Sequence, residues 1–364
     1  MRPGSPTRGI AFRGTVWEGG AATAYQGVVV VDGAGRIAAM GPQIALPDGL
    51  PVFGDEGCWV GPGLVDAHVH LAFGGPAEAL PGGVVAVRDL GAPLAEALGW
   101  QAGGGPAAGS AYVSVAGPVL TAPGGYPSTS WGAGGFAAFL ADAGRAASVV
   151  GQLAADGVDL IKVALEPAGG APVLSPAVLR AVVEAAHRSG LAVTAHALTV
   201  DMVRRAVDAG VNELAHTPVE PLPEELVESI ASAGISVVST LQCFFAGGGD
   251  GGDGGAGHRA VANAAALHRA GVRLVYGTDL GNAGTRTGAE PRELERLADA
   301  GLGRLGALRA ATEGSAQACG LPKGGRLMVG QPAALVLLGA DPLVEPEVWR
   351  APRAVYAGGR LITT

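Results

Sequence analysis

The chain contains 364 residues with a formal net charge of −8; 48% of them are hydrophobic and only 15% are charged. A chain of this length usually forms about two domains, and its apolar content can fill a substantial core. The acidic balance and the lack of a basic cluster argue against a nucleic-acid-binding surface.

Compartment and membrane association are also constrained by the sequence. Three cysteines without a CxxC motif indicate reduced thiols, and we expect a cytoplasmic protein. The first residues lack the apolar core of a signal peptide, and no apolar run reaches the length of a membrane span. We therefore predict no membrane partner, while a homo-oligomer is compatible with the sequence.

Both ends of the chain carry patterns that are typical of short strands. Residues 27–32 and 36–40 are apolar runs about a Gly-Ala-Gly turn, which predicts a hairpin. The last forty residues repeat this pattern, with strands expected over 334–338, 354–356 and 360–362. We expect residues 1–60 and 325–364 to pair into a small β-sandwich domain beside an α/β domain of residues 61–324.

The central segment alternates strand-like runs with helical patterns. Helices are expected over 175–189, 199–209, 223–233 and 258–270. Eight strands with crossover helices and no second sheet favour a closed parallel TIM (β/α)8 barrel. The predicted strands are 64–70, 84–90, 111–117, 158–164, 191–196, 212–216, 235–240 and 273–279.

Two loops of this central domain stand out by composition. Only thirteen residues, rich in Gly and Pro, separate His70 from Val84, so the first barrel helix should be missing or vestigial. Residues 246–257 consist almost entirely of Gly, Ala and Asp, which predicts a mobile loop.

Five potential metal ligands fall at the carboxyl ends of predicted strands. His68 and His70 are two residues apart on one strand, so both side chains point to the same face. His196, His216 and Asp279 each end another strand, and TIM-barrel active sites lie at that end of the barrel. One such histidine alone is more often a hydrogen-bonded core residue. Five together favour a metal site.

Lys162 ends the predicted fourth strand inside an apolar run. Burial lowers the pKa of an amine, and a neutral lysine can capture carbon dioxide to give a carbamate that bridges two cations. A salt-bridged core lysine is the alternative interpretation.

Substrate contacts are expected in the loops that follow the strands. Tyr126 lies in the loop after the third strand, and Arg88 follows the second strand, so we predict both as substrate-binding residues. For Arg88, support of the ligands and a structural salt bridge are alternatives. Packing is favoured for Trp131, Phe244 and Phe245, although they also fall in such loops.

Six motifs in chain order resemble those of the amidohydrolase superfamily: GPGLVDAHVHL, VAVRDLGA, DLIKVAL, VTAHA, ELAHTP and YGTDLG. They are most similar to the branch of Xaa-Pro dipeptidases, ochratoxin-type amidases and imidazolonepropionase-related proteins. The resemblance implies a binuclear centre with a more buried metal, a more exposed metal and a bridging carbamate. The ligands it implies are His68, His70 and Asp279 for the first, His196 and His216 for the second, and carbamylated Lys162 for the bridge.

One departure from this branch concerns substrate recognition. Gly124-Gly125-Tyr126 stands where dipeptidase-like members usually carry Gly-Gly-His, which argues against recognition of a free substrate carboxylate.

These features predict a metal-dependent enzyme that hydrolyses an amide C–N bond with metal-activated hydroxide. Two divalent ions are expected, with zinc favoured and manganese or iron as alternatives. Asp279 would act as general base and then as general acid.

Two other functions and a range of substrates stay open. A mononuclear imidazolonepropionase-like cyclic-amide hydrolase or deaminase would not need Lys162, and a non-catalytic scaffold would be expected to lose ligands. The substrate is a small molecule or a peptide. The short loop after His70 and the glycine-rich loop suggest an open mouth, and hence a modified-peptide natural product, as in bottromycin-type follower removal.

Overall fold

The computed structural model describes residues 9–128, 130–246, 255–281, 285–286, 288–321 and 324–363. Hydrogen bonds organise these residues into three sheets of eight, seven and three strands. Within the described residues, no helix combines the length and the apolar character needed to cross a membrane.

The eight-stranded sheet is built from both ends of the chain. Ala334–Leu338 pairs antiparallel with Trp59–Pro62, which in turn pairs parallel with Ile10–Val16. Strands from the two ends of the chain therefore belong to one hydrogen-bonded sheet. Buried side chains of this sheet, including Phe12 and Tyr356, form a hydrophobic cluster that is separate from the main core of the protein. Its strands are Ile10–Val16, Tyr25–Val31, Ile37–Gly41, Val52–Phe53, Trp59–Pro62, Ala334–Leu338, Ala354–Ala357 and Arg360–Thr363.

Parallel strands fill the middle of the chain, and each of the eight predicted strands overlaps an observed one. The observed strands are Leu64–Val69, Val84–Asp89, Tyr112–Val115, Leu160–Leu165, Ala192–Ala197, Glu213–Leu214, Ser236–Val238 and Leu274–Val275. Two further strands, Val119–Thr121 and Ala137–Phe139, were not expected because three residues are too few for a periodic pattern. They bracket the loop that carries Tyr126.

The α-helices alternate with these strands and follow the capping signals in the sequence. Ser175 accepts a hydrogen bond from Val178 N at 3.3 Å, and Pro176 occupies the first turn. The helix expected from His258 begins two residues earlier, at Ala256. The described α-helices are Pro76–Ala79, Leu94–Gly103, Ala143–Asp156, Pro176–Arg188, Val200–Ala209, Glu224–Ser232, Cys243–Ala246, Ala256–Arg269, Pro291–Leu297, Gly303–Arg309 and Ser315–Ala318.

Short helical segments of other types complete the secondary structure. The 3-10 segments are Leu71–Phe73, Pro106–Ala108, Ala168–Gly170 and Pro346–Arg350, and the π segments are Ala298–Leu302 and Ala310–Gly314.

The first helix of the central segment is reduced to a single turn, Pro76–Ala79, as the Gly/Pro-rich sequence predicts. Much of the glycine-rich loop expected over residues 246–257 lies outside the described residues, which omit 247–254.

Backbone hydrogen bonds join the first and last parallel strands. Asp279 N donates to His68 O at 2.9 Å, and Ala67 N donates to Tyr276 O at 3.1 Å. On the other side, Asp159 N donates to Val115 O at 2.9 Å and links the three-stranded sheet to the seven-stranded one. The seam between first and last strands therefore passes directly beside His68 and Asp279.

The buried Asp66 carboxylate strengthens this seam. It accepts hydrogen bonds from His68 N at 3.0 Å, Thr278 N at 3.1 Å and Thr278 Oγ1 at 2.6 Å. Burial raises the pKa of Asp66 to about 7, although these donors lower it. Asp66 therefore fixes the strand that carries His68 to the segment that carries Thr278 and Asp279.

Thr278→Val should lower the free energy of unfolding by about 1–3 kcal/mol, because it leaves a buried carboxylate oxygen without its hydroxyl donor. Urea denaturation of both proteins in the same metal state measures the difference. Thr15→Val, a half-buried change in the terminal sheet, serves as control and should stay within about 0.5 kcal/mol. A loss at Thr278 no larger than the control would contradict the proposed strength of the seam.

Candidate metal centre

The structure brings all six sequence-predicted ligands to one site. His70, Lys162, His196, His216 and Asp279 line the same cavity. His68 lies directly beneath it, with Nε2 at 3.3 Å from Asp279 Oδ1. Ligand atoms of His68, His216 and Asp279 all lie within 4.8 Å of one another.

Hydrogen bonds to carbonyl oxygens orient the two histidines of the first strand. His68 Nδ1 donates to Ala215 O at 2.8 Å, and His70 Nδ1 donates to Gly91 O at 3.4 Å. Each Nε2 atom is then free to offer its lone pair. The two Nε2 atoms are 3.4 Å apart, and that of His70 is 3.4 Å from Asp279 Oδ1. Three donor atoms therefore converge on one point.

The other two histidines are held by polar side chains. His196 Nε2 donates to Glu166 Oε2 at 3.2 Å, which leaves Nδ1 of that ring as the possible ligand atom. His216 Nδ1 lies 3.0 Å from Thr240 Oγ1 and 3.9 Å from Asp279 Oδ2. The two rings pack edge to face with centroids 4.7 Å apart.

Backbone strain coincides with this site. Among the described non-glycine residues, Thr240 and Asp279 are the two with a φ in the left-handed region, at 41° and 55°. Strained residues of this kind cluster at functional sites, where the surrounding structure holds them in place. Thr240 holds His216, and Asp279 contacts the histidines of the first strand.

Burial favours the neutral forms of His68, His216 and Lys162. It lowers the pKa of His68 and of His216 well below the usual value, and nearby Lys162 and neighbouring histidines add to this effect. Burial also lowers the pKa of Lys162 to about 7. Neutral imidazole and deprotonated amine are the forms that bind metals and carbon dioxide, respectively.

The amine of Lys162 is the clearest sign that the site is built for another group. The residue is 3% exposed, and its Nζ atom has no hydrogen-bond partner among the described residues. A buried amine without a hydrogen-bond partner is costly. As a carbamate, the same side chain would offer oxygen atoms that a metal ion can bind. The donor set therefore fits a metal centre.

The cavity above the ligands has a volume of about 540 Å³ and aromatic walls. Trp131 packs against His70 with ring centroids 4.9 Å apart, and Tyr126 lies 5.2 Å from His196. Phe244 lies 6.2 Å from His216, and Phe73 also lines the cavity. The described lining residues are His70, Phe73, Val119, Tyr126, Trp131, Lys162, Ala164, His196, Leu198, His216, Cys243, Phe244, Asp279 and Gly281.

Tyr126 is one of the residues that line this cavity. Its hydroxyl oxygen accepts a hydrogen bond from Trp131 Nε1 at 3.0 Å, and burial raises the pKa of the phenol. Packing was favoured over substrate contact for Trp131 and Phe244, yet both line the cavity. Phe73 also lines the cavity, and the Gly/Pro-rich composition of its segment carries no signal for this position.

Arg88 requires a correction, because it does not reach the cavity. Its guanidinium is buried and donates to Glu213 Oε1 at 2.5 Å, Ala67 O at 2.8 Å and Ala318 O at 2.9 Å. Through Glu213, which also accepts from Thr194 Oγ1, Arg88 is held below the ligands, while Asp89 accepts from Leu71 N at 2.8 Å beside His70. Arg88 therefore supports the strand of His68 and is not among the described residues that line the cavity.

Sequence reasoning also missed Glu293, a fully buried carboxylate that holds the loop before Phe244. It accepts hydrogen bonds from Leu241 N at 2.9 Å and Gln242 N at 2.6 Å. Burial raises the pKa of Glu293 to about 7 in spite of these donors. The periodic pattern of a helix does not indicate which distant loop one of its carboxylates contacts, so the sequence carries no signal for this role of Glu293.

Glu293→Gln should change how stability depends on pH. The carboxyl has a raised pKa in the folded protein, so its contribution is present below about pH 4.5 and is lost as the pH rises towards 7. Glutamine does not titrate, and the stability of wild type relative to the variant should therefore fall between pH 5 and pH 8. Urea denaturation across this range measures it.

Glu184→Gln is the matched control, because Glu184 is exposed on the helix Pro176–Arg188. It should keep the wild-type pH profile. If the difference between wild type and Glu293→Gln did not change with pH, burial would not govern this carboxyl.

Comparison with known proteins places the chain in a family. The sequence profile of the amidohydrolase family matches residues 59–362. Among curated relatives, the imidazolonepropionase of Shewanella loihica is 49% identical over 45 residues, which is 11% of each chain. That of Cupriavidus metallidurans is 50% identical over 52 residues, 14% of this chain and 12% of the relative. These matches cover only a small part of either relative.

Solved structures match over almost the whole chain. A Bifidobacterium longum protein assigned as a prolidase is 27% identical with a TM-score of 0.84, over 98% of this chain and 95% of that one. A Xaa-Pro dipeptidase with bound methionine has 19% identity and a TM-score of 0.83, over 98% and 100% of the two chains. The A. niger ochratoxinase has 20% identity and a TM-score of 0.79, over 99% and 96%.

The last two similarities show the fold, and the profile match shows the family, whose members generally use metal ions. With the His/His/Asp group in place, the chain belongs to the amidohydrolase family and is a hydrolytic enzyme.

Proposed function

We propose that this enzyme hydrolyses an amide C–N bond at a centre of two divalent metal ions. The observation that carries the proposal is the buried Lys162 amine, which has no hydrogen-bond partner among the described residues and faces the same cavity as the histidines. A mononuclear centre would leave this amine unexplained. The proposed ligands are His68, His70, Lys162, His196, His216 and Asp279.

The proposed ligands are assigned to two ions. His68, His70 and Asp279 converge at distances of 3.3–3.4 Å and would hold the more buried ion. His196 and His216 would hold the more exposed ion. Neutral Lys162 would add to carbon dioxide through Nζ and lose a proton, and the carbamate oxygens would bridge both ions. Imidazole and carboxylate ligands suit zinc, with manganese or iron as alternatives.

Three contributions to catalysis follow from this arrangement, one from the metal ions and two from side chains. When bound, the metal ions supply Lewis acidity that polarises the carbonyl and lowers the pKa of water. Asp279 takes the proton from the attacking water and returns it to the leaving nitrogen as the C–N bond breaks. The aromatic walls restrict water around the reacting atoms and contact the substrate, with Tyr126 as a proposed substrate-binding residue.

The mononuclear alternative, an imidazolonepropionase-like hydrolase or a deaminase, is less well supported. The matches to imidazolonepropionases cover short segments only, and such an enzyme would not use Lys162. A peptide or modified-peptide substrate, as in bottromycin-type follower removal, is a further proposal that rests on the single-turn first helix, Pro76–Ala79.

The hydrogen bonds support a finer description of the architecture. We propose a closed (β/α)8 barrel over residues 61–324, because bonds join its first and last strands. Residues 1–60 and 325–364 would form the β-sandwich domain, on the basis of the sheet that the two ends share. Three buried free cysteines are compatible with the cytoplasm, which we propose as the location.

Carbamylation of Lys162 can be observed directly. Metal-loaded enzyme prepared with ¹³C-bicarbonate should give a carbamate signal by NMR and bind about two metal ions per chain. Lys162→Arg should remove the signal and lower the metal content. The chain has one other lysine, and Lys323→Arg should therefore keep both. A signal that survives Lys162→Arg, or one metal ion per chain in the wild type, would contradict the bridge.

Asp279→Asn should reduce kcat by about 10²–10⁴-fold, because an amide cannot accept and return the proton. Metal analysis of the variant distinguishes loss of the proton carrier from loss of the ions. Asp142→Asn is a suitable control, since asparagine caps a helix about as well as aspartate and this residue caps the helix Ala143–Asp156. Activity of Asp279→Asn within a few-fold of wild type would assign proton transfer to another group.

A further inference from the structure

The charge of the cavity restricts what it can bind. Apart from the imidazoles, Lys162 is the one basic side chain among the described lining residues, and it lies at the floor with the ligands. Arg88 is turned away into its pair with Glu213. Glu166 adds a carboxylate at 3.2 Å from His196. The described protein therefore offers a substrate carboxylate no cationic partner above the metal ligands.

The walls, by contrast, suit an aromatic or apolar group. Trp131, Tyr126 and Phe244 each pack on a different ligand histidine, with ring centroids 4.9, 5.2 and 6.2 Å apart. A substrate group next to a scissile bond bound at these histidines would therefore lie beside the three rings. Leu198 and Val119 extend the apolar lining. Contacts of this kind stabilise a bound aromatic group and do not offset the free energy lost when a charge is buried.

The remaining polar group of the wall is suited to a neutral partner. The Tyr126 hydroxyl accepts from Trp131 Nε1, which leaves its own proton to donate to an uncharged carbonyl oxygen. A single neutral hydroxyl compensates a carboxylate poorly, because a buried charge needs an opposite charge or several donors. A free substrate carboxylate could then find cations only in the metal centre, where it would compete with the scissile carbonyl.

We infer that the substrate is an amide with an uncharged aromatic or apolar group beside the scissile bond and no free carboxylate there. This inference rests on the proposed amide hydrolysis for its reaction, but the ligand class follows from the cavity. It separates this enzyme from dipeptidases that act on zwitterionic substrates.

A matched pair of substrates tests the charge preference. N-benzoyl-L-phenylalaninamide and N-benzoyl-L-phenylalanine differ only in a neutral carboxamide or a carboxylate beside the benzoyl amide bond. For metal-loaded enzyme, release of benzoate should show kcat/KM at least about tenfold higher for the carboxamide, since a carboxylate buried without a partner is costly. Equal values, or a preference for the carboxylate, would overturn the inference.

Binding of inert analogues separates this inference from the proposed reaction. In the ketomethylene isosteres of the same pair, CH₂ replaces the scissile NH, and calorimetry measures their Kd for metal-loaded enzyme. The neutral isostere should bind about tenfold more tightly. If neither substrate were cleaved but the neutral isostere still bound more tightly, the proposal of amide hydrolysis would be rejected and the inferred ligand class would be supported. Equal or tighter binding of the carboxylate would reject the ligand class whatever the turnover.

Two pairs of variants locate the effect in the cavity wall. Leu198→Arg supplies a cation in the lining and should shift the binding ratio about tenfold towards the carboxylate, whereas Leu198→Met should keep the wild-type ratio. Trp131→Leu should weaken binding of both aromatic isosteres about tenfold, and Phe139→Leu, at an exposed aromatic residue outside the lining, should not. Unchanged ratios and affinities in all four variants would place the binding site elsewhere.

Discussion

The site depends on the contact between the first and the last parallel strand. Asp279 N donates to His68 O, so a proposed ligand that follows the last parallel strand of the central segment is fixed beside two from its first. Asp66 reinforces this contact through Thr278, and it does so from within the motif that contains His68 and His70. Without this seam the two halves of the ligand set would belong to opposite edges of an open sheet.

Polar groups beneath and beside the ligands are buried but paired, whereas the cavity above is apolar. The Arg88–Glu213 ion pair lies under the centre, and Thr194 Oγ1 donates to Glu213 Oε1 at 2.8 Å. Charges buried in this way are tolerated because each has partners. The Lys162 amine differs from them, since it has no hydrogen-bond partner among the described residues.

Much of the fold and of the ligand set follows from the sequence. Period-two and period-3.6 patterns place the eight strands and four helices, and strand ends place the histidines and Asp279. The role of Arg88 does not follow from the sequence, because its partner Glu213 lies far away in the chain. Motif position favoured a different assignment, and the geometry of Glu213 decided it.

What the sequence lacked was information on loops. Val119–Thr121 and Ala137–Phe139 are too short to show a period, so the placement of Trp131 against His70 could not be derived. Glu293 contacts a loop some fifty positions away in the chain, and no local pattern encodes such a bond. Distant polar contacts and loop paths are set by tertiary packing and not by local preference.

The sheet shared by the two ends has a consequence for the order of folding. Trp59–Pro62 leads directly into the strand of His68, yet its antiparallel partner, Ala334–Leu338, is synthesised only after the whole intervening α/β segment. Pairing across so much of the chain carries a loop-closure entropy that the intervening α/β segment must first reduce by folding. On the ribosome, Trp59–Pro62 therefore keeps an unpaired edge until Ala334–Leu338 has been synthesised.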